Sequence, residues 1–401
     1  ALLLGEVVDR EGRRRDIQLK GAGRTPFSRM GDGKAPLGPV LREFIVSEAM
    51  AALGIPTTRS LAAVATGEPV FRETVHTGAV LTRVAASHVR IGTFQYFYAR
   101  KDVEALQALV DHVIARHYPD LATSDAPALA LLEAVMARQA DLVARWMGVG
   151  FIHGVMNTDN MTISGETIDY GPCAFMDVYR EGQVFSSIDV TGRYAYGNQP
   201  RIAHWNLAQL AQALLPLLPG SSEAAVERAQ AAVDRFSELF REAWLSVMRR
   251  KLGLSTAAEG DADLIASLLS IMEDNEADFT LTFRRLADHA GPDADRPAQG
   301  DDPLGETTAL RAWVERWKDR LREDPMPALD RQASMRAVNP LFIARNHRVE
   351  EVLDAAEEGD LKPLERLCRV LARPFDDQPE EVDLAQPPRA EQAVTHTFCG
   401  T

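Results

Sequence analysis

Two short polar segments contain the residues best suited to chemistry. The first runs from Phe151 to Met161 and includes Asp159 and Asn160, and the second is Ile168-Asp169-Tyr170-Gly171. Asn160 and Asp169 would offer the oxygen ligands that Mg²⁺ or Mn²⁺ prefers when it also binds phosphate oxygens. Asp159 is the nearest carboxylate that could act as a general base. Together the two segments predict metal-assisted chemistry on a phosphate compound, although Asn, Asp and Gly also cluster in ordinary turns.

The order of the two segments is that of a protein kinase. Kinases carry a catalytic loop, H-R-D-L-x-x-x-N, followed by a D-F-G motif whose aspartate holds magnesium. With His153 aligned to the histidine of that loop, Asn160 falls on the metal-binding asparagine and Asp169 on the D-F-G aspartate. Val155 stands where the catalytic aspartate would be, so Asp159 is the candidate replacement. We expect His153 to be structural.

Upstream residues complete a kinase-like constellation. The segment Asp16-Ile-Gln-Leu-Lys20 resembles the strand that ends in the ATP-contacting lysine. A kinase fold needs a glutamate on the next helix to pair with that lysine. Glu43 is the preferred partner and Glu48 of the same helix is the alternative. Arg83 and Arg90 add two cations whose planar guanidinium groups suit phosphate, although a surface position would explain either of them.

The apolar patterns predict the elements that must position these residues. Period-two segments predict strands at 2–8, 16–19, 61–65 and 80–84. Helical periodicity covers 40–53, 103–118, 126–147 and most of 202–373, with a loop predicted at 291–305. Between 151 and 200 the periodicity is lost, as expected for loops that present functional side chains.

These patterns predict an α+β chain with a protein-kinase-like, two-lobed fold. A small strand-rich N-lobe would cover residues 1–100, and a large helical C-lobe with the catalytic and metal-binding loops would cover 101–373. The C-terminal tail, 374–401, is rich in proline and acidic residues. We expect that tail to be poorly ordered apart from its extreme end.

Composition excludes several classes of function. The chain has 401 residues, 46% of them hydrophobic and 25% charged, with a formal net charge of -14. Such an acidic chain is a poor candidate for binding nucleic acid, which needs clustered cations. No apolar run is long enough to predict a membrane span. The three cysteines are too widely spaced for a disulfide framework or a metal knuckle, which fits a reducing cytoplasm.

Taken together, the motifs resemble the selenoprotein O family of pseudokinases over essentially the whole chain. Matching segments in the first part are Gln18-Leu-Lys20-Gly21, Thr25-Pro-Phe-Ser-Arg29, Gly31-Asp-Gly33, Arg42-Glu43-Phe44, Ser47-Glu-Ala-Met50 and Gly54-Ile-Pro-Thr-Thr58. Further matches are His153 to Asn160, Ile168 to Pro172, Gly192-Arg-Tyr-Ala195, Asn198-Gln-Pro200, Trp205-Asn-Leu207 and Phe398-Cys399-Gly400.

The resemblance implies an activity. Members of that family have a kinase fold but bind ATP turned around, and they transfer AMP to Ser, Thr or Tyr hydroxyls of proteins. By this resemblance the protein would be a bacterial cytoplasmic adenylyltransferase that uses ATP with Mg²⁺ or Mn²⁺. The implied roles are phosphate contact for Lys20 paired with Glu43, γ-phosphate binding for Arg83 and Arg90, metal binding for Asn160 and Asp169, and base catalysis for Asp159.

The chain departs from the family pattern at three places. The family's Gly-rich loop would lie just upstream of Ala1, so we expect the N-lobe to be truncated there. The helix approach at 35–40 lacks the Arg and Ser expected in members. Some members join a C-terminal cysteine to a cysteine of the activation segment. Cys399 matches the first, residues 185–187 contain no second, and Cys173 is elsewhere, so a redox tether is only a hypothesis.

Two alternatives stay open at this point. One is an atypical kinase that transfers the γ-phosphate, although such enzymes keep an aspartate where this chain has Val155. The other is a catalytically inactive pseudokinase that binds nucleotide as a switch or scaffold.

Overall fold

The computed structural model describes residues 1–26, 28, 31–291 and 307–398. The described chain is α+β, with a small strand-rich N-terminal part followed by a helical body. The strands are β1 (Leu2–Val8), β2 (Arg14–Lys20), β3 (Ala35–Pro36), β4 (Arg59–Phe71), β5 (Val75–Ala85), β6 (Phe151–Ile152) and β7 (Ala174–Phe175).

The helices are α1 (Leu37–Ala52), α2 (Ile91–Ala99), α3 (Val103–His117), α4 (Pro127–Gly148), α5 (Gln199–Leu214), α6 (Ser222–Asp234), α7 (Phe236–Lys251), α8 (Asp261–Asp274), α9 (Phe279–Leu286), α10 (Thr308–Glu323), α11 (Ala328–Val338), α12 (Asn346–Glu357) and α13 (Lys362–Leu371). Short 3₁₀ helices lie at Pro119–Thr123, Thr158–Asn160, Tyr196–Asn198, Leu215–Leu217, Asp288–Ala290, Pro379–Leu384 and Ala390–Gln392.

The N-terminal sheet is antiparallel and is organised around β5. β1 pairs with β2, and β2 pairs with β5 in a register that sets Gln18 opposite Arg83 and Lys20 opposite Leu81. β4 pairs with β5 along its whole length, so β2 and β3 share the other edge of β5. Because side chains alternate along a strand, Gln18 and Lys20 project from the same face of β2.

Helix α1 joins the sheet to the helical body. Val40 packs with Leu81 in a small core beneath the sheet. Ile45 and Met50 belong to the large core of the body, where α1 meets α12 and α13. Glu43 is therefore carried by a helix held on both sides, and only 1% of its surface is exposed.

Most predicted elements are confirmed. The strands and helices from 2 to 147 are present with small shifts of their ends, although β4 and β5 are longer than predicted and α2 was not predicted. Residues 292–305 of the predicted loop, Phe27 and Arg29 of the 25–29 motif, and Cys399 and Gly400 lie outside the described residues. Among the helices of the described residues, none combines the length and the hydrophobicity that a transmembrane segment needs.

The expectation of a poorly ordered tail is wrong for residues 374–398. Leu384 and Ala385 are 7% and 1% exposed, and Arg345 donates to the carbonyl oxygen of Ala385 at 2.8 Å. Thr397 is buried, and its hydroxyl donates to the carbonyl oxygen of Pro172 at 2.7 Å. An acidic, proline-rich composition did not reveal these few apolar and backbone anchors.

Candidate active site

The short strands β6 and β7 bring the two polar segments together. Phe151 pairs with Phe175 and Ile152 with Ala174, so everything between 153 and 173 is a loop closed at its base. Inside that loop His153 Nε2 lies 2.9 Å from the carbonyl oxygen of Ile168. His153 is 1% exposed, so it fastens one segment to the other, as the structural interpretation predicted.

The same loop is hydrogen-bonded to the N-terminal part. The backbone N–H of Thr58 donates to the carbonyl oxygen of Thr167 at 3.0 Å, and the backbone N–H of Ile91 donates to the carbonyl oxygen of Met161 at 3.0 Å. Arg90 and Thr162 form an isolated antiparallel bridge. These backbone bonds fix the position of the metal-ligand candidates relative to the sheet that carries Lys20.

Asn160 and Asp159 lie in the 3₁₀ helix Thr158–Asn160. The side-chain nitrogen Nδ2 of Asn160 donates to the carbonyl oxygen of Val155 at 3.0 Å, and no described residue donates to its Oδ1. The Asp159 carboxylate packs directly on Gly92 at the start of α2, where a Cβ atom would collide with Oδ1. Both side chains line the cleft.

Asp169 has a backbone conformation that is unusual for a residue with a side chain. Its φ of +68° lies in the left-handed region, which costs on the order of 1 kcal/mol for a non-glycine residue. Its Oδ1 accepts from Lys20 Nζ at 2.5 Å and from the Arg83 guanidinium at 3.1 Å. Burial alone would raise the pKa of Asp169, but Lys20, Arg83 and Arg90 hold it well below its ordinary value.

Lys20 pairs with Glu43, as the sequence predicted. Its Nζ lies 2.8 Å from Glu43 Oε2, whereas the alternative, Glu48, accepts two bonds from Arg59 at 2.9 and 2.6 Å. Burial would raise the pKa of the Glu43 carboxyl, but Arg83 and Lys20 lower it. Burial would lower the pKa of the Lys20 ammonium, but Asp169 and Glu43 raise it. Both groups are therefore charged at neutral pH.

Arg83 and Arg90 occupy different electrostatic positions. Arg83 is 1% exposed and donates to Glu43 Oε1 at 2.7 Å, so its charge is paired. Arg90 donates to the backbone oxygen of Asp159 at 2.8 Å and forms no ion pair with a carboxylate in the described chain. Burial, and then repulsion from Arg83, lowers the pKa of Arg90. Arg90 is half-buried, and a partly desolvated guanidinium without a carboxylate partner is suited to an anionic ligand.

These residues face one cleft of about 700 Å³ between the sheet and the helical body. Of the residues predicted from the sequence, the cleft is lined by Lys20, Arg83, Arg90, Asp159, Asn160 and Asp169, while Glu43 lies behind Lys20. Such a volume is that of an ordinary small-molecule site.

Sequence reasoning missed residues at the mouth of the cleft. Arg72, at the β4–β5 turn, donates to both carboxylate oxygens of Asp32 at 3.0 and 3.1 Å and to the carbonyl oxygen of Lys34 at 2.8 Å. It thereby holds the glycine-containing 31–34 segment along the cleft. The Gly31-Asp-Gly33 motif was a signal for that segment, but a single arginine at a hairpin turn gave none.

The donor atoms suit a hard divalent cation that is shared with phosphate. No cluster of three or more His, Cys, Asp or Glu side chains with metal-binding geometry is present in the described chain. Asn160 Oδ1 and Asp169 Oδ2 nevertheless accept no hydrogen bond from described residues. Two available oxygens in a cleft that is also lined by Lys20, Arg83 and Arg90 would fit Mg²⁺ or Mn²⁺, which complete their coordination with phosphate oxygens and water.

Neither described cysteine supports a redox tether. Burial raises the pKa of the Cys173 thiol to about 12, and Cys173 is 1% exposed. Cys368 is also a free thiol, and burial raises its pKa to about 11. A thiol in this state is a poor nucleophile.

Comparison with known proteins gives one consistent family. The profile of the family described as "Protein adenylyltransferase SelO" matches residues 1–372. A protein of Bradyrhizobium diazoefficiens named "Protein nucleotidyltransferase YdiU" is 62% identical over 404 residues, which cover all of this chain and 82% of the relative.

Two further relatives carry the same name. The protein of Rhizobium etli is 60% identical over 402 residues, covering all of this chain and 80% of that relative. The protein of Methylorubrum populi is 60% identical over 413 residues, with 100% and 82% covered.

Proposed function

Since this chain belongs to the protein adenylyltransferase SelO family, it is an enzyme that transfers AMP from ATP to proteins, and we propose that the transfer occurs in the cleft lined by Lys20, Arg83 and Arg90. The acceptors would be Ser, Thr or Tyr hydroxyls. The family assignment favours nucleotidyl transfer over γ-phosphate transfer and over a nucleotide-binding scaffold.

The observation that carries the proposal is the position of Arg90. It lies in the cleft beside Arg83 with no carboxylate partner in the described chain, so the cleft has cationic charge available for a polyphosphate. In the proposed pose the γ-phosphate contacts Arg83 and Arg90, and Lys20 contacts phosphate oxygens while Glu43 orients it. The α-phosphorus then faces the open side of the cleft, where an acceptor can reach it.

Asp159 is the proposed general base. In the transfer, Asp159 accepts the proton of the acceptor hydroxyl while the hydroxyl oxygen forms a bond to the α-phosphorus. The bond between the α-phosphorus and the oxygen that bridges to the β-phosphate breaks, and pyrophosphate leaves. Asn160 and Asp169 would hold Mg²⁺ or Mn²⁺, which when bound neutralises charge that develops on the phosphates.

The architecture proposed for this site is a kinase-like fold of two lobes. The Lys20–Glu43 pair between a strand and α1, and the placement of Asn160 and Asp169 across the cleft, support it. The lobes would span residues 1–100 and 101–373, with 374–401 as a tail. A bacterial cytoplasmic location is also proposed, and the free thiols of Cys173 and Cys368 support it.

Nucleotide affinity tests the proposed pose. Replacing Arg90 with Ala should weaken binding of ATP about tenfold or more, because a charged hydrogen bond to the γ-phosphate is lost, and should weaken binding of AMP much less. Isothermal titration with ATP, ADP and AMP in the presence of Mg²⁺ measures the difference. Arg59→Ala, an exposed arginine paired with Glu48 outside the cleft, is the control. Equal losses for ATP and AMP would contradict the pose.

A further inference from the structure

The loop of residues 186–194 exposes two large apolar side chains beside the cleft. Ile188 is 61% exposed and Val190 is 93% exposed. Ile188 also lines the cleft that contains Asp159. Ile188 and Val190 are two residues apart on this loop, so they give the rim of the cleft a small apolar surface.

The 186–194 loop is held firmly from behind. The Asp189 carboxylate accepts hydrogen bonds from the backbone N–H groups of Arg193 and Tyr194 at 2.8 and 2.7 Å. The backbone N–H of Asp189 donates to the carbonyl oxygen of Ser186 at 3.0 Å. The amide of Ser187 donates to the carbonyl oxygen of Thr397 at 3.0 Å. The apolar side chains are therefore presented by a fixed backbone, which lowers the entropy lost on binding.

The loop is also tied to the segment that carries the candidate base. The Tyr194 hydroxyl donates to Asn157 Oδ1 at 2.9 Å, and Asn157 lines the cleft two residues before Asp159. The position of the exposed residues relative to the carboxylate is thus set by one hydrogen-bonded connection. A chain that contacts Ile188 would pass the site of transfer.

We propose that Ile188 and Val190 bind the substrate protein, by contacting an apolar side chain one or two residues from the acceptor hydroxyl in an extended segment. The inference rests on the proposed function, because it requires that the cleft modify proteins. The enzyme class supplies the occupant, since a protein adenylyltransferase must bring a polypeptide to its transfer site, and Ile188 lines the cleft proposed for that transfer. Apolar pockets that read alternate side chains of an extended chain are a common mode of peptide recognition.

A neighbouring arginine extends the surface. The Arg193 guanidinium lies 5.0 Å from the ring centre of Trp205, which is 44% exposed, and it has no carboxylate partner in the described chain. A stacked guanidinium keeps its outer N–H groups available. Backbone carbonyls or an acidic side chain of the same substrate segment would pair with it.

A peptide array tests this surface. Each peptide carries one Ser, Thr or Tyr acceptor and one flanking position set to Leu, Ala, Lys or Glu, and the probe is ATP labelled at the α-phosphate. The natural protein should label peptides with Leu beside the acceptor about tenfold better than those with Lys, since one buried apolar side chain accounts for that ratio. Val190→Asp and Ile188→Asp should each remove that preference and shift it towards Lys.

The control is Leu329→Asp, which introduces the same charge at an apolar residue that is 67% exposed on α11. It should keep the natural profile. An unchanged profile in either Val190→Asp or Ile188→Asp, or no flanking preference in the natural protein, overturns the proposal. Labelling of proteins in a bacterial extract but of no peptide also overturns it while the proposed function stands. No α-label on either would instead refute the proposed function.

Discussion

At the level of single residues, the charged side chains of the cleft share their ion-pair partners. Lys20 and Arg83 each contact both Glu43 and Asp169, so no member of this network can be changed without altering the others. Breaking a buried ion pair by removing one partner leaves a desolvated charge without compensation. The network therefore has structural consequences as well as a proposed role with ATP.

Neutralising Glu43 should destabilise the protein far more than neutralising Glu48. Glu43→Gln leaves Lys20 and the buried Arg83 with Asp169 as their one remaining common carboxylate, and we expect a loss of about 3 kcal/mol in the free energy of unfolding. Glu48→Gln, which removes a pair with exposed Arg59, should cost about 1 kcal/mol or less. Urea denaturation of both variants measures this. Similar losses would show that the buried network contributes no more than a surface pair.

Acid should weaken the same network in a defined range. The pKa values of the Glu43 and Asp169 carboxyls are lower in the folded protein than their ordinary values of 4.5 and 3.8. Their stabilising contribution is present above those ordinary values and is lost as the pH falls through the folded ones. In urea denaturation between pH 5 and 3, Glu43→Gln should lose less stability than the natural protein. An equal loss would contradict this assignment.

Gly92 offers a test of Asp159 that leaves folding intact. A methyl group at position 92 would push the Asp159 carboxylate aside, although alanine is favoured over glycine within a helix. Gly92→Ala should keep the thermal midpoint and lower the rate of AMP transfer at least tenfold, if Asp159 is the base. Gly38→Ala, at a helical glycine with open space around it, is the control. A fully active Gly92→Ala variant would argue against Asp159.

The sequence motifs named six residues that line the cleft, and they named Glu43 as the partner of Lys20. This was possible because the spacing within a motif fixes the element on which each residue lies. It did not give the partners of Arg83, whose guanidinium contacts Glu43 and Asp169. Nor did it give Gly92, whose importance arises from a contact with Asp159 across the chain. Contacts of this kind depend on tertiary packing and leave no local pattern.

At the scale of elements, the loop-rich segment is positioned by very short strands. β6 and β7 have two residues each, and isolated bridges join residues near them to the N-terminal part. Two-residue strands have no detectable periodicity, so the sequence could predict only that this segment is a loop. The long helix α4, with its buried apolar stripe, was predicted, and it ends just before β6.

The isolated parallel bridge between Ser186 and Thr397 should support the 186–194 loop. Thr397→Val removes the buried hydroxyl that donates to Pro172, at a cost of about 1 kcal/mol, without changing the size of the side chain. We expect faster proteolysis within the loop and slower AMP transfer. Thr395→Val, at an exposed threonine two residues earlier, should leave both unchanged. Limited proteolysis and the transfer rate measure this, and identical behaviour of the two variants would refute the supporting role.

At the scale of the whole molecule, an α+β chain with a strand-rich beginning was predictable from composition and periodicity. The order of elements was sufficient because strands and helices here have strong local patterns. The return of the tail to the loop near the cleft was not predictable, because Ser186 and Thr397 are brought together only by the complete fold.

AMP transfer in this cleft is proposed to depend on Asp169. The most direct measurement incubates the protein with Mg²⁺ or Mn²⁺, a bacterial protein extract, and ATP labelled in parallel at the α- or the γ-phosphate. We predict labelled proteins from the α position only, and loss of that label in Asp169→Ala. Label from the γ position only, or α-label that is undiminished in Asp169→Ala, would contradict the account.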